Sequence, residues 1–173
     1  MFTSIKTSKV NKDIVTDLSR KFNLGAENII ARIALTYSLS QDRKLSLVDI
    51  ADSQGKEYSK NVLFGSNLPY YIGLICVKYG LYKTDKDIPK YIKLHVDDGL
   101  QLMNKELRDN PNLNGYDYLI DKIENYYEIK NNSTYDTLIK ELKEYDYKGK
   151  GGDVGEATPA ELMVELTAKI LNV

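Results

Sequence analysis

Over residues 2–10 single apolar positions sit among polar ones, and from residue 14 onward apolar residues recur at spacings of three and four. The stretch Phe2-Thr-Ser-Ile-Lys-Thr-Ser-Lys-Val10 is rich in hydroxyl side chains and carries two lysines, so it predicts a strand with one wet face. Asn11 is placed to cap a helix, and Asp13 suits its positive end. Ile14, Val15, Leu18 and Phe22 then form one helical stripe, which Gly25 is expected to close in a left-handed conformation. Ile29, Ile30, Ile33, Ala34 and Tyr37 make a second stripe.

Leu45 to Asp52 is apolar enough to pack but has no clear period. Gly55 to Gly65, bracketed by glycines, reads as extended or irregular. Leu68 to Tyr82 is apolar on nearly every side, the pattern of a central helix, and Gly80 should end it. Asp85 or Asp87 can cap the next helix, whose inward positions are Ile88, Ile92, Val96, Leu100, Met103 and Leu107, with Pro89 in its first turn. The polar patch Arg108 to Gly115 divides a core of residues 1–108 from an acidic helical extension, residues 109–173. Stripes through Tyr116, Leu119, Ile120, Ile123 and Tyr127 and through Tyr135, Leu138, Ile139, Leu142 and Tyr145 predict a helical hairpin there. A glycine-rich loop, Lys148 to Gly155, leads into the capping box Thr158-Pro-Ala-Glu161 and a last helix.

The fold class is therefore mainly α, with a ribbon-helix-helix-like N-terminal unit plus additional helices. So short a strand cannot protect its own edge, and a second copy is expected to complete it, making the protein a homo-oligomer.

Composition narrows the function. Cys76 is the only cysteine, which leaves no internal disulfide and no cysteine-built metal site within one chain, and a buried apolar role is expected for it. No signal layout opens the chain, and its longest apolar run, Leu68 to Val77, is too short to span a bilayer, so a cytoplasmic location is expected. Residues 1–93 hold 15 Lys/Arg against 9 Asp/Glu, a net of +6; residues 94–173 hold 9 against 16, a net of −7. A basic front half suits a polyanion such as DNA.

The candidate DNA-binding residues are Lys6, Lys9, Lys12, Arg20, Lys21, Arg32, Arg43, Lys44, Lys56 and Lys60, because phosphate affinity grows with the number of cations on one face. Base readout from the strand would need Ser4, Lys6 and Ser8 to project together. Glu27, at the start of the second helix, opposes a phosphate there. The glycine-rich loop lacks the ending of a P-loop and reads as a hinge. His95 and Asp98 could share a helix face while Asp97 would not, which predicts a helix-surface cluster or a histidine hydrogen-bonded to Asp98 before a catalytic or metal site. No catalytic residue, metal or cofactor is expected, and the fourteen tyrosines are expected mostly to pack.

Three motifs stand in order: Leu24-Gly25 with Ile30-Ala-Arg-Ile-Ala-Leu35 and Ser38-Leu39; Gly55-Lys-Glu57 leading to Leu63-Phe-Gly65; and His95-Val-Asp-Asp-Gly-Leu100. Together, over roughly residues 2–108, they resemble the DndE family of the bacterial DNA phosphorothioation (Dnd sulfur-modification) system. The resemblance implies a helical homotetramer that binds duplex or nicked DNA through lysines and works beside other Dnd proteins that supply the sulfur chemistry. It implies that this subunit is neither the cysteine desulfurase nor the iron-sulfur component, and a non-enzymatic DNA-binding subunit is expected. The alternatives are a ribbon-helix-helix transcriptional repressor or antitoxin, and a metal-dependent DNA nickase using His95, Asp97 and Asp98.

Overall fold

A computed structural model describes residues 2–41 and 43–126. The expected second helix of the hairpin, Tyr135 to Tyr145, the glycine-rich loop and the last helix lie outside the described residues. The elements run β1 (Ser4–Lys6), α1 (Asn11–Phe22), α2 (Glu27–Ser40), a 3-10 turn (Leu47–Asp49), β2 (Glu57–Ser59), α3 (Lys60–Phe64), a second 3-10 turn (Gly65–Asn67), α4 (Leu68–Tyr79), α5 (Ile88–Asp109) and α6 (Gly115–Tyr126). The fold is mainly α.

The strand finds its partner inside the chain. β1 pairs antiparallel with β2, with Ser4 opposite Ser59, Ile5 opposite Tyr58 and Lys6 opposite Glu57. Ile5 and Tyr58 point into the core while Lys6 and Glu57 face water, the alternation that a half-buried ribbon requires. Flanking bonds from Lys60 N–H to the Thr3 carbonyl and from Thr7 N–H to the Lys56 carbonyl extend the ladder. The backbone groups of Ser4 and Lys6 therefore turn to the opposite edge, where no described strand pairs.

α1 buries Val15, Leu18 and Phe22 as its stripe predicts. Its ends differ from expectation. Asn11 is the first helical residue and makes no cap, because its side chain is buried against α5; Asn23, not Gly25, is the left-handed closing residue (φ 51°), a conformation asparagine tolerates.

The central helix is α2, whereas the sequence pattern points to the segment beginning at Leu68. Ten of the fourteen residues of α2 are buried, including Thr36, Ser38 and Ser40. Their hydroxyls are satisfied: Thr36 donates to the Ile33 carbonyl, Ser40 to the Tyr37 carbonyl and Ser38 to Asp98. In α4 only Tyr71, Leu74 and Ile75 are buried, and Tyr70 and Val77 are exposed. Cys76 is half-buried, less than expected. Gly80 does end this helix, in the left-handed region at φ 67°.

α5 lies along α2 in the most extensive helix packing of the fold. Its stripe from Ile88 to Leu107 is buried as its period predicts. Beyond the turn after Asp109, the core continues: Tyr118 and Leu119 of α6 are fully buried, and the Tyr118 ring stacks on Phe22 with centroids 4.8 Å apart. Among the described residues no helix is long and apolar enough to cross a membrane.

Candidate nucleic-acid interface

The motif His95 to Leu100 sits in the middle of α5, and its polar residues face different neighbours because successive helical positions turn by about a quarter of a circle. Asp97 holds the strand-to-helix junction. Its Oδ1 accepts from Ser8 N–H (2.8 Å), Ser8 Oγ (3.2 Å) and Asn11 Nδ2 (2.6 Å), and its Oδ2 from Lys93 Nζ one turn back (2.5 Å). Both Lys93 and Asp97 are buried, so each charge depends on the other.

Asp98 turns the other way. Arg43 donates from a single nitrogen, Nη2, to both its oxygens at 2.6 Å, which pins the loop after α2. Ser38 donates its single proton to Asp98 (2.5 Å), so its oxygen accepts from His95 Nδ1–H (2.7 Å). His95 Nε2 is then the acceptor for Tyr79 Oη (2.7 Å), which itself accepts from Leu45 N–H (2.9 Å). Ser38 stands between His95 and Asp98, with its proton given to the carboxylate, which is the wrong order for a nucleophile activated by imidazole. Among the described residues no group of three or more His, Cys, Asp or Glu is arranged to hold a metal ion.

Burial first, and then the nearby Lys78 ammonium, lower His95 from its ordinary value to about 3. The neutral ring is the native form. Its contribution to stability is complete above the unfolded value near 6.5 and is lost as pH falls toward 3. Below pH 6 unfolding should take up this one proton, adding about 1.4 kcal/mol of stability loss per pH unit. Urea denaturation at pH 7 and pH 5 checks this, and His95→Gln should show a shallower pH dependence than the parent.

Four of the ten candidate cations are paired with carboxylates among the described residues. Lys6 pairs with Glu57 (3.1 Å), Arg20 with Asp17 (3.3 Å), Arg43 with Asp98 and Lys56 with Glu27 (3.1 Å). Arg32 is half-buried, with a buried Nε that has no hydrogen-bond partner among the described residues. Lys60 opens α3, beside β2. Lys56 sits at the N-terminus of α2, because Glu27 there accepts from it and from Thr16, which lies one turn beyond Lys12 on α1. Arg43 and Lys44 lie past the other end of α2, about 20 Å away along its axis. Lys9, Lys12, Lys21 and Lys44 are exposed and have no ion pair among the described residues.

Two further expectations meet the geometry. Glu27 does occupy the N-terminus of α2, and its carboxylate is engaged by Thr16 and Lys56. The readout face of Ser4, Lys6 and Ser8 does not form: β1 ends at Lys6, the chain turns inward, and Thr7 and Ser8 are both fully buried. Ser4 and Lys6 are both engaged by Glu57.

The other motifs also have structural work. Gly55 lets its own strand lead-in press against the start of α1, since a Cβ there would lie 2.2 Å from the Ser8 carbonyl oxygen. Leu63 and Phe64 are fully buried. Sequence reasoning missed Lys93 as a buried partner and passed over Lys83 and Lys86, which stand exposed in the loop before α5. A family model described as "DNA sulphur modification protein DndE" matches residues 4–110, more than half of the chain. No curated protein matches it.

Proposed function

The chain belongs to the DndE family of DNA sulphur modification proteins, which ties it to DNA phosphorothioation, and on that premise we propose that it is a non-enzymatic DNA-binding subunit of that machinery. It holds duplex or nicked DNA beside the components that exchange oxygen for sulfur. The family match carries this reading. Lys9, Lys12, Lys21 and Lys44 support it, because cations with no carboxylate partner among the described residues lose least when they exchange water and counterions for phosphate. His95, Asp97 and Asp98 support the non-enzymatic part, since each is already engaged in holding α5 to its neighbours. A homo-oligomer fits as well: a second copy pairing with the edge of β1 that no described strand covers would bring two sets of these lysines together.

Fluorescence anisotropy with labelled duplex across a salt series tests the proposal. The protein should bind random-sequence duplex at low salt with a steep log–log salt dependence. The triple variant Lys9→Ala/Lys12→Ala/Lys21→Ala should bind more weakly, with the slope reduced by about 0.9 for each phosphate that is no longer neutralised. Absence of binding to any duplex at low salt overturns the reading. Binding that persists unchanged in the triple variant moves the interface elsewhere.

A further inference from the structure

Beside Phe2, α4 and the loop before α5 frame a cavity of about 460 Å³, whose lining includes none of the polar residues of the His95 motif. Its walls are apolar: Phe2, Ile72, Ile88 and Pro89. Phe2 is held in place by an edge-to-face contact with Phe64, centroids 6.4 Å apart, and Ile88 is anchored in the core. The wall is therefore formed before any ligand arrives.

Polar groups stand beside these walls. Lys83 and Lys86 line the cavity, are exposed, and have no ion pair among the described residues. Asp85 also lines it, with one oxygen accepting from Asp87 N–H (2.8 Å) and thereby fixed in position. A flat apolar body, an anion within lysine reach and an N–H donor for a carboxylate is the chemistry this lining selects. Cavities of a few hundred cubic ångströms that combine apolar walls with a few polar groups are the usual form of small-ligand sites.

We propose that this cavity receives one unpaired nucleotide of a DNA strand. The base lies on Phe2 and the aliphatic wall, Lys83 and Lys86 hold the adjoining phosphates, and Asp85 accepts from an amino or imino group of the base. This rests on the DNA-binding reading and adds a second element to it: surface lysines grip paired duplex, while the cavity selects a base that has left the stack. Aromatic contact with an unpaired base tolerates every sequence, because each base has a flat face.

The test compares three labelled duplexes of equal length: blunt, with a one-nucleotide overhang, and with the same overhang lacking its base. The intact overhang should bind at least about fivefold more tightly than the abasic one. Lys83→Ala/Lys86→Ala should weaken binding of both overhangs without changing blunt-duplex affinity. Ile72→Trp, which fills the cavity, should erase the difference between the overhangs, and Thr84→Trp at the rim provides a second filler should the first fail to fold. Equal affinity for intact and abasic overhangs, with blunt duplex still bound, overturns the cavity proposal alone. Failure to bind all three removes the DNA-binding reading and the cavity proposal with it.

Discussion

Replacing Gly99 with alanine is expected to cost about 3 kcal/mol or more, a large fraction of the stability of a domain of this size. A Cβ at this position would lie 1.9 Å from the Ala34 carbonyl oxygen, 2.4 Å from its carbon and 2.8 Å from its Cα. The obstacle is backbone inside a regular helix, so no side-chain rotation relieves it. α5 would have to back away from α2 along the whole length of their packing, opening gaps beside Ala31, Ile33 and Leu100, all fully buried. Urea denaturation followed by circular dichroism reads the effect. Ala34→Gly should not rescue Gly99→Ala, because the clash is with the carbonyl of residue 34 and not with its methyl group. A Gly99→Ala protein with the parent midpoint would refute the close approach of these helices.

The second large effect belongs to Asp97→Ala, which is expected to destabilise by about 3–5 kcal/mol. The change strips Ser8 and Asn11 of their carboxylate acceptor and leaves the buried Lys93 ammonium without its ion-pair partner. Lys93→Met should cost less, since Asp97 retains three donors from Ser8 and Asn11. The double change Lys93→Met/Asp97→Ala should recover part of the loss by removing both charges. Thermal melts of the four proteins form the cycle, and equal losses for the two single changes would disprove the asymmetry. Because the residues concerned join β1 to α5, loss of this link should also release the ribbon, visible as faster amide exchange at Thr7 and Ser8.

These two effects give the motif around His95 a structural account. Four positions in one and a half turns of α5 each address a different neighbour: His95 reaches Tyr79 of α4 and Ser38 of α2, Asp97 reaches the β1–α1 junction, Asp98 holds Arg43, and Gly99 admits the α2 backbone. In sequence, a histidine beside two aspartates suggests a metal or an acid–base site. In space the two carboxylates point apart, and each meets a cation supplied from a different place: Lys93 from α5 itself and Arg43 from the loop after α2.

Several elements were legible because they depend on local spacing. The stripe of α1, the long stripe of α5 with Pro89 in its first turn, and the end of α4 at Gly80 are all set by periodicity and backbone preference within a few residues. The misplaced caps have a local origin too: Asn11 and Asn23 are equally suited to caps and turns, and only the buried carboxylate of Asp97 decides that Asn11 is used for packing. The pattern at Leu68 to Tyr79 misled, because hydrophobicity measures what a helix could bury and not what surrounds it. α2 is buried instead, since its alanines permit close approach and its hydroxyls find acceptors.

Order along the chain was enough to establish a mainly helical protein opening with a strand and two helices, and enough motif to assign its family. Periodicity and motif are properties of neighbours in sequence, so no coordinates were needed. It took the folded arrangement to show that β1 pairs with β2, that four of ten candidate cations are already matched by carboxylates, and that Lys83 and Lys86 flank an apolar cavity. Each of these joins residues far apart in sequence or depends on which faces the fold leaves open. Coulomb attraction and burial act through distance in space, and a one-dimensional pattern carries no such distance.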